Sequence, residues 1–414
     1  MINTTLYRLA IGAYAAGIKL SSPFNPKARL FVDGRKGLLE HITTNLAQEK
    51  RARIWMHCAS LGEFEQGRPV LEAIKEQYPQ IAIVLTFFSP SGYEVRKNYD
   101  GADYVFYLPV DSPHNARTFL DAVQPQLCIF VKYELWYYYL SGLVERNIPT
   151  LLVSAIFTEK HGFFKWYGSL QRQMLKCFSH IFVQDEISKV LLQQIGIDNV
   201  SVSGDTRFDR VIKASGEVTA LPIATTFTDG YKVVIAGSSW PADEDLFKKI
   251  LKTLPADWKV ILVPHNVDAA HIAAIETQFA GDVAKWSAWK DQDVNKRVLL
   301  VDTVGMLMHL YKYATVAYIG GGFGRAGVHN VLEAAVYGKP CIYGPVYDQF
   351  IEATALIDCG GAKSVNTATT LLSAINEMGS DSTLGKIGDA ARAYVYSKGG
   401  ATAKVMTHLG KFLQ

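Results

Sequence analysis

Paired cysteines, metal-ligand spacings, a membrane-spanning run and low-complexity sequence are all missing from this 414-residue chain. Its five cysteines (Cys58, Cys128, Cys177, Cys341 and Cys359) are scattered, odd in number and set mostly inside apolar runs. No two have redox or zinc spacing, so they read as reduced, buried small hydrophobes and favour the cytoplasm. No His, Asp or Glu pair has helix-face or zinc spacing either, so neither a metal nor a cofactor is expected. The apolar stretch Leu6 to Leu20 is interrupted by Arg8 and Lys19 and is too short for an ordinary spanning helix.

The rest of the composition is that of a globular enzyme, with 49% hydrophobic and 20% charged residues. The length suits two domains of about 200 residues each. A net charge of +3 conceals an asymmetry: Met1 to Arg53 holds nine lysines and arginines against three acidic residues, a balance of +6, so the remainder carries about −3. A basic segment beside an apolar one points to a membrane surface rather than to nucleic acid. A signal peptide is the competing reading of Leu6 to Leu20. Lys27, Arg29, Arg35 and Lys36 would be awkward to translocate, and a helix lying in the interface fits better.

From Ile54 onward, short apolar runs alternate with amphipathic stretches. The runs Ile54–Cys58, Ile81–Phe88, Tyr104–Leu108, Leu127–Val131, Thr150–Val153, Ile181–Val183 and Val200–Val202 predict strands. Helical patterns at Phe64–Gln77, Pro113–Val123, Leu135–Arg146, Gly162–Cys177 and Ile187–Ile195 separate them. Continuous apolar strands joined by helices predict a parallel sheet covered on both faces. The alternation lapses in a Thr-rich stretch between Arg210 and Gly230, then resumes at Lys232–Ala236, Lys259–Val263, Val298–Val301, Thr315–Ile319 and Pro340–Tyr343, and ends helical from about Asp381. The expected organisation is a membrane-associated segment 1–30, a Rossmann-like domain 31–212 and a second one 228–414 with the C-terminal helices. Two doubly wound α/β domains of this kind are expected to face each other across a cleft.

The most informative stretch is GGGFGRAGVHNVLEAAVYGKPCIYGP, Gly320 to Pro345. A strand, a glycine loop and a helix start in that order leave N–H groups for an anion, and Glu333 could bind the two hydroxyls of a ribose. Asn330 and Glu333 also have the spacing of a helix cap. The same duality attaches to Glu63 in His57-Cys58-Ala59-Ser60-Leu61-Gly62-Glu63. It follows the first strand and could take a proton from a substrate hydroxyl, or complete a capping box with Ser60. Glu134, between Tyr133 and Leu135-Trp136, follows the fourth strand. Arg207 follows the last strand of the first half and could neutralise a carboxylate or phosphate, or pair with Asp205 or Asp209. In the second half, Gly237-Ser238-Ser239-Trp240, Pro264-His265-Asn266 and Asp302-Thr303-Val304-Gly305-Met306 are strand-end turns on the same rim as the glycine loop. The aromatic groups Trp136 to Tyr139 and Phe163 to Tyr167 are expected to divide between core and an exposed apolar patch.

In order and spacing, HCASLGE, SPSG at Ser89–Gly92, ELW at Glu134–Trp136, GDTRFD at Gly204–Asp209, GSSWPADE at Gly237–Glu244 and HNVLEAAVYGKP at His329–Pro340 resemble the Kdo transferases. These move 3-deoxy-D-manno-octulosonic acid (Kdo) from CMP-Kdo onto a lipid A precursor in lipopolysaccharide biosynthesis. The similarity runs from about Arg29 to about Asp358. It implies a GT-B fold, an inverting glycosyltransferase and attachment to the cytoplasmic face of the inner membrane. It implies that Glu63 is the general base and that Glu134 and Arg207 assist the transition state. It puts the CMP site on Pro264 and His265, on Val304, Gly305 and Met306, and on Asn330, Val331, Leu332 and Glu333. Ser238 and Ser239 of the first turn, with Gly322, Arg325 and His329 of the glycine loop, complete the expected CMP-Kdo site.

The chain departs from the family pattern in its donor half. Trp240 replaces a histidine, no arginine follows Pro264, the loop reads GVHN rather than GGHN, and Met306 stands where an acidic residue is usual. Arg207 stands where many members have lysine. A nucleotide-sugar epimerase of the same fold and a non-catalytic nucleotide-sugar-binding regulator are the alternatives. The regulator would have no use for Glu63 and Glu134.

Overall fold

Each half of the chain folds around one seven-stranded sheet in which every pairing is parallel. The computed structural model describes residues 2–132, 134–217 and 220–413. It divides into two units, Met1–Arg210 with Gly399–Gln414, and Val211–Lys398. The first sheet contains β1 (Arg53–Cys58), β2 (Ala82–Phe87), β3 (Tyr104–Tyr107), β4 (Leu127–Val131), β5 (Thr150–Ala155), β6 (His180–Val183) and β7 (Val200–Val202). Their order across the sheet is β3-β2-β1-β4-β5-β6-β7.

The second sheet contains β8 (Lys232–Ser239), β9 (Trp258–Pro264), β10 (Val283–Lys285), β11 (Val298–Leu300), β12 (Val316–Ile319), β13 (Cys341–Tyr343) and β14 (Ala362–Ser364), in the order β10-β11-β9-β8-β12-β13-β14. Every strand inferred from sequence is present; β10 and β14 were not inferred, being three-residue edge strands with too little periodicity to register. The order reverses between β1 and β4 in one sheet and between β8 and β12 in the other, the positions where such sheets open a crevice for ligand.

The strands are largely apolar because both faces of the sheet are buried. On β1, Ile54, Met56 and Cys58 join one core with Ile129 and Val131, while Trp55 joins the opposite core with Cys128 and Phe130.

Four sequence expectations need correction. The last segment does not stay with the second domain. Helix Ala401–Leu409 buries Val405, Met406 and Leu409 against Ile54 and Met56 of the first unit. Its N-cap is Gly400, which has no side chain to offer, and Asp209 instead accepts the Gly400 and Thr402 N–H groups at 2.5 and 2.6 Å. The Arg210–Gly230 stretch is largely helical, in helices Thr206–Gly216 and Pro222–Thr228, rather than an open linker. The pattern Gly162–Cys177 is not one helix but a short turn, Gly162–Phe164, and helix Ser169–Leu175. Arg172 donates to the Phe163 and Lys165 carbonyls at 2.8 and 2.9 Å and holds the break, leaving Phe163 buried and Trp166 91% exposed. Cys359 is exposed and Cys177 half-buried, so only Cys58, Cys128 and Cys341 are core residues.

The returning C-terminal helix introduces a proton-sensitive contact. His180, at the start of β6, stacks on His408 with centroids 4.1 Å apart, and its Nε2 lies 2.8 Å from Ser201 Oγ. Burial, with His408 and Lys411 alongside, pushes the His180 imidazole down to about 4. The unfolded chain takes up this proton near the ordinary value of about 6.5. Stability from this group is therefore complete above that value and lost as pH falls toward 4. In urea unfolding at pH 7 and pH 5, the native protein should lose about 1 kcal/mol more than His180→Asn, after allowance for solvent screening of this half-buried pair. Equal losses in the two proteins would show that the stack does not carry the proton linkage.

Candidate active site

In the first unit, the β1/β4 reversal brings together the loops that follow those two strands. Ser60 caps helix Leu61–Gln77, its Oγ accepting the Gly62 N–H at 3.3 Å, and its hydroxyl donates to the Glu63 carboxylate. Among the described residues the reciprocal bond of a capping box, from Ser60 N–H to Glu63, is not made. Glu63 Oε1 instead lies 3.7 Å from Lys132 Nζ. Lys132 directly follows β4 in the left-handed region, φ 65°, which side chains avoid unless their surroundings impose it. That strain lays the ammonium group beside the carboxylate.

Glu134 stands in the extended segment between β4 and helix Tyr137–Glu145; Tyr133, its expected flank, lies outside the described residues. Glu134 Oε2 is buried without a hydrogen bond among the described residues, 3.7 Å from His57 Nε2. His57 is fully buried at the end of β1. Trp136 donates its indole N–H to His57 Nε2 at 3.3 Å, and an indole can only donate. His57 Nε2 is therefore the acceptor, and Nδ1–H faces Thr86 Oγ1 at 2.9 Å. This neutral tautomer has no proton for Glu134, which leaves the carboxylate oxygen open to an incoming donor. An unsatisfied buried acceptor costs about 1–3 kcal/mol and is concentrated where a ligand completes it.

Arg207 begins helix Thr206–Gly216, and Asp205 accepts both its Nε–H at 2.8 Å and its backbone N–H at 2.9 Å. The pairing with Asp205 therefore forms. Thr206 Oγ1 donates to the Gln66 carbonyl, so the turn carrying Arg207 is tied to the helix carrying Glu63.

In the second unit, β8 and β12 are the reversing pair. Asp243, fully buried, accepts the Trp240 N–H at 2.9 Å, the Tyr318 hydroxyl at 2.6 Å and the Gly321 N–H at 3.0 Å. Glu244 accepts from Ser239 Oγ and lies 3.0 Å from His271 Nε2. Two buried carboxylates thus brace the turn after β8. Ser238 is left-handed, φ 53°, and its carbonyl approaches Gly320 so closely that a Cβ there would lie 2.2 Å away. Glycine is required at that position.

Trp240, His265 and His329 form a stack: Trp240 to His265 at 4.8 Å, His265 to His329 at 4.5 Å, near parallel. The Trp240 indole N–H donates to His329 Nε2 at 2.8 Å, so His329 carries its proton on Nδ1. Burial and the neighbouring His265 hold His329 below the usual histidine range.

The expected row of open glycine amides is largely used by the protein itself. Gly320 N–H donates to Gly237 O and Gly321 N–H to Asp243; Gly322 N–H has no partner among the described residues. The helix expected at Asn330 is a single turn, Leu332–Ala335, too short for a substantial dipole. Asn330 Oδ1 accepts the Leu332 N–H, and its amide donates to Glu333 Oε1 at 3.0 Å, so the cap and the carboxylate are coupled. Val331 and Leu332 are buried and contribute backbone only; Arg325 is exposed. Pro264 ends β9 beside Ser239. In the remaining turn, Val304 is exposed, Gly305 is left-handed at φ 89° and Met306 begins helix Leu307–Leu310, whose Leu307 packs on Gly237.

Sequence reasoning missed His57, Lys132, Thr86 and Asp243. Only Asp243 had a local signal, its capping distance from Trp240. Asp243→Asn exchanges an acceptor for an amide that must point a donor at other donors. Urea unfolding of the second unit should show a loss of about 1.5–3 kcal/mol, the scale of hydrogen bonds to a charged group. Stability within 0.5 kcal/mol of the native protein would show that the brace is dispensable.

Residues 33–210 match the family model of the 3-deoxy-D-manno-octulosonic-acid transferases (kdotransferases). The 3-deoxy-D-manno-octulosonic acid transferase of Haemophilus influenzae is 27% identical over 376 residues, 87% of each chain. That of Aquifex aeolicus is 28% identical over 339 residues, 79% of this chain and 86% of its own. Among solved structures, the UDP-GlcNAc 2-epimerase of Neisseria meningitidis, bound to UDP-GlcNAc, aligns with a TM-score of 0.60 at 15% identity over 87% of this chain and 100% of that chain. Likeness at that identity carries the fold and leaves the activity to the site. With two α/β units of GT-B type, a family-model match over residues 33–210 and relatives along most of its length, this chain is similar to the Kdo transferases, a family of glycosyltransferases.

Proposed function

We propose that the protein transfers Kdo from CMP-Kdo to a hydroxyl of a lipid A precursor, with inversion at the anomeric carbon. The observation that carries this reading is the pair of carboxylates at the β1/β4 reversal, one held by a lysine and a serine and the other with a buried oxygen awaiting a donor. Glu63 takes the proton of the acceptor hydroxyl as its oxygen forms a bond to the anomeric carbon. The bond from that carbon to the CMP phosphate oxygen breaks from the opposite face, and CMP leaves with the electron pair. Glu134 accepts a hydrogen bond from the acceptor, and Arg207, steadied by Asp205, offsets negative charge.

On the donor side, Glu333 takes the ribose hydroxyls. The Gly322 N–H, the His329 Nδ1–H and the Arg325 guanidinium face the phosphate. Trp240 and His265 supply a flat aromatic edge, with Ser238, Ser239, Pro264 and the Val304–Met306 turn around it. The base assists proton removal, and the fixed donors provide electrostatic stabilisation.

Glu63→Gln should lower turnover by about 10² to 10⁴, the range for loss of a general base, with CMP affinity unchanged. Near-native turnover in a folded variant would assign Glu63 to the helix start.

We further propose that the acceptor is reached at the cytoplasmic face of the inner membrane. No helix among the described residues is long and apolar enough to cross a bilayer. Helix Ile2–Ser21 leaves Leu6 and Leu9 59% and 64% exposed on one face, with Phe24 and Leu20 beyond them. An apolar face of this kind flanked by cations suits the interface. Leu6→Ser with Leu9→Ser should lower flotation with anionic liposomes about tenfold or more, since each buried leucine contributes about 1.5–3 kcal/mol. Unchanged flotation would move the contact elsewhere.

A further inference from the structure

The N-terminal helix Ile2–Ser21 reaches the acceptor side through two tyrosines seven residues apart. The Tyr7 hydroxyl donates to Asp111 Oδ2 at 2.6 Å and accepts the Tyr137 N–H at 3.2 Å. Asp111, 3% exposed in the loop after β3, also accepts the N–H groups of Tyr138 at 3.1 Å and Tyr139 at 3.3 Å. These are the first amides of helix Tyr137–Glu145, whose own N-cap, Trp136, provides no side-chain bond. A helix start left uncapped frays. Here a phenol and a carboxylate from two distant parts of the chain hold it.

The second tyrosine acts on the residue just before that helix. The Tyr14 ring stacks on Phe88 at 6.2 Å, and Phe88 packs on Trp136 at 4.5 Å. Trp136 in turn donates to His57, which lies beside the unpartnered oxygen of Glu134. The segment Glu134 to Tyr139 is thus fixed from both ends by one helix. Nothing in a membrane anchor requires this arrangement, since lipid contact uses the opposite, leucine-bearing face.

We propose that Tyr7 and Asp111 are positioning residues for Glu134. By clamping the start of helix Tyr137–Glu145, they set the direction in which the free Glu134 oxygen faces. The inference rests on the reading of Glu134 as an acceptor-side group and extends it to the N-terminal helix. Removing that helix therefore abolishes turnover of acceptor dispersed in detergent, beyond any loss of lipid binding.

Tyr7→Phe tests this, because it keeps the ring and removes the hydroxyl. Backbone hydrogen exchange across residues 134–141 reads position independently of activity. Turnover of CMP-Kdo with detergent-dispersed tetraacylated lipid A precursor reads the consequence. Exchange in 134–141 should quicken and kcat should fall, each about tenfold, the scale of one hydrogen bond to a charged group. KM for the donor and liposome flotation should not move, and Asp111→Asn should act in the same direction. Unchanged exchange in folded Tyr7→Phe overturns the proposal. So does faster exchange with native kcat while Glu134→Gln is slow, since the clamp would then be structural only. Native turnover in Glu134→Gln would overturn the reading of Glu134 itself, and this proposal with it, whatever the exchange shows.

Discussion

Parallel strands cannot be joined by tight turns; each connection must cross a face of the sheet and return to the same edge. Every loop that follows a strand therefore emerges along one edge, and where the strand order reverses, two neighbouring loops leave toward opposite faces. This constraint creates both candidate sites. Between β1 and β4 it places Ser60–Glu63 beside Lys132 and Glu134–Trp136, and between β8 and β12 it places Gly237–Trp240 beside Gly320–Gly322. The two non-glycine residues Lys132 and Ser238, each at the end of a reversing strand, are forced into left-handed conformations there. Backbone strain of this kind, about 1–3 kcal/mol per residue, persists only where the surroundings over-determine it.

The carboxylates of these loops divide into two classes by what satisfies them. Asp243, Asp111 and Asp209 accept two or more backbone N–H groups each, and their role is to hold one segment against another. Burial pushes Asp111 up to about 6 in spite of the Tyr7 hydroxyl and the amides it accepts. Glu63 and Glu134 take no backbone N–H. One carboxylate faces a lysine and a serine hydroxyl, and the other has an oxygen with nothing to accept. A folded chain leaves a buried acceptor open only at a cost, and the Glu134 oxygen is one such group.

In the second unit, one indole orients two histidines. Trp240 gives its indole N–H to His329 and its face to His265. An indole never accepts, so the tautomer of His329 is decided and Nδ1–H is left to donate. The indole thus fixes a directed donor beside the glycine loop. The amides of Gly320 and Gly321, which a strand–glycine–helix pattern suggests for an anion, are occupied by Gly237 and Asp243. Fewer open amides therefore remain on this side than the pattern implies.

Local pattern was enough for the parts of the protein governed by local physics. Strands buried on both faces must be largely apolar, so all but the two three-residue edge strands could be read from the chain, as could the positions of Glu63 and Glu134 just beyond strand ends. Whether Glu63 caps a helix or turns outward could not be read, because Ser60-x-x-Glu63 has the same spacing in either case. The answer depends on Lys132, nearly seventy residues away. Asp111 and Tyr7 offered no signal at all, since neither lies in a motif and their partners are the amides of a helix that begins at Tyr137. The return of helix Ala401–Leu409 to the first unit was equally hidden, being decided by Asp209 and by the apolar face of β1. The sequence by itself determined which segments would be strands and which polar residues would stand at their ends, because those follow from periodicity along the chain. Tertiary structure alone decided which of those polar groups would be satisfied, since a hydrogen-bond partner brought from another loop leaves no trace in local spacing.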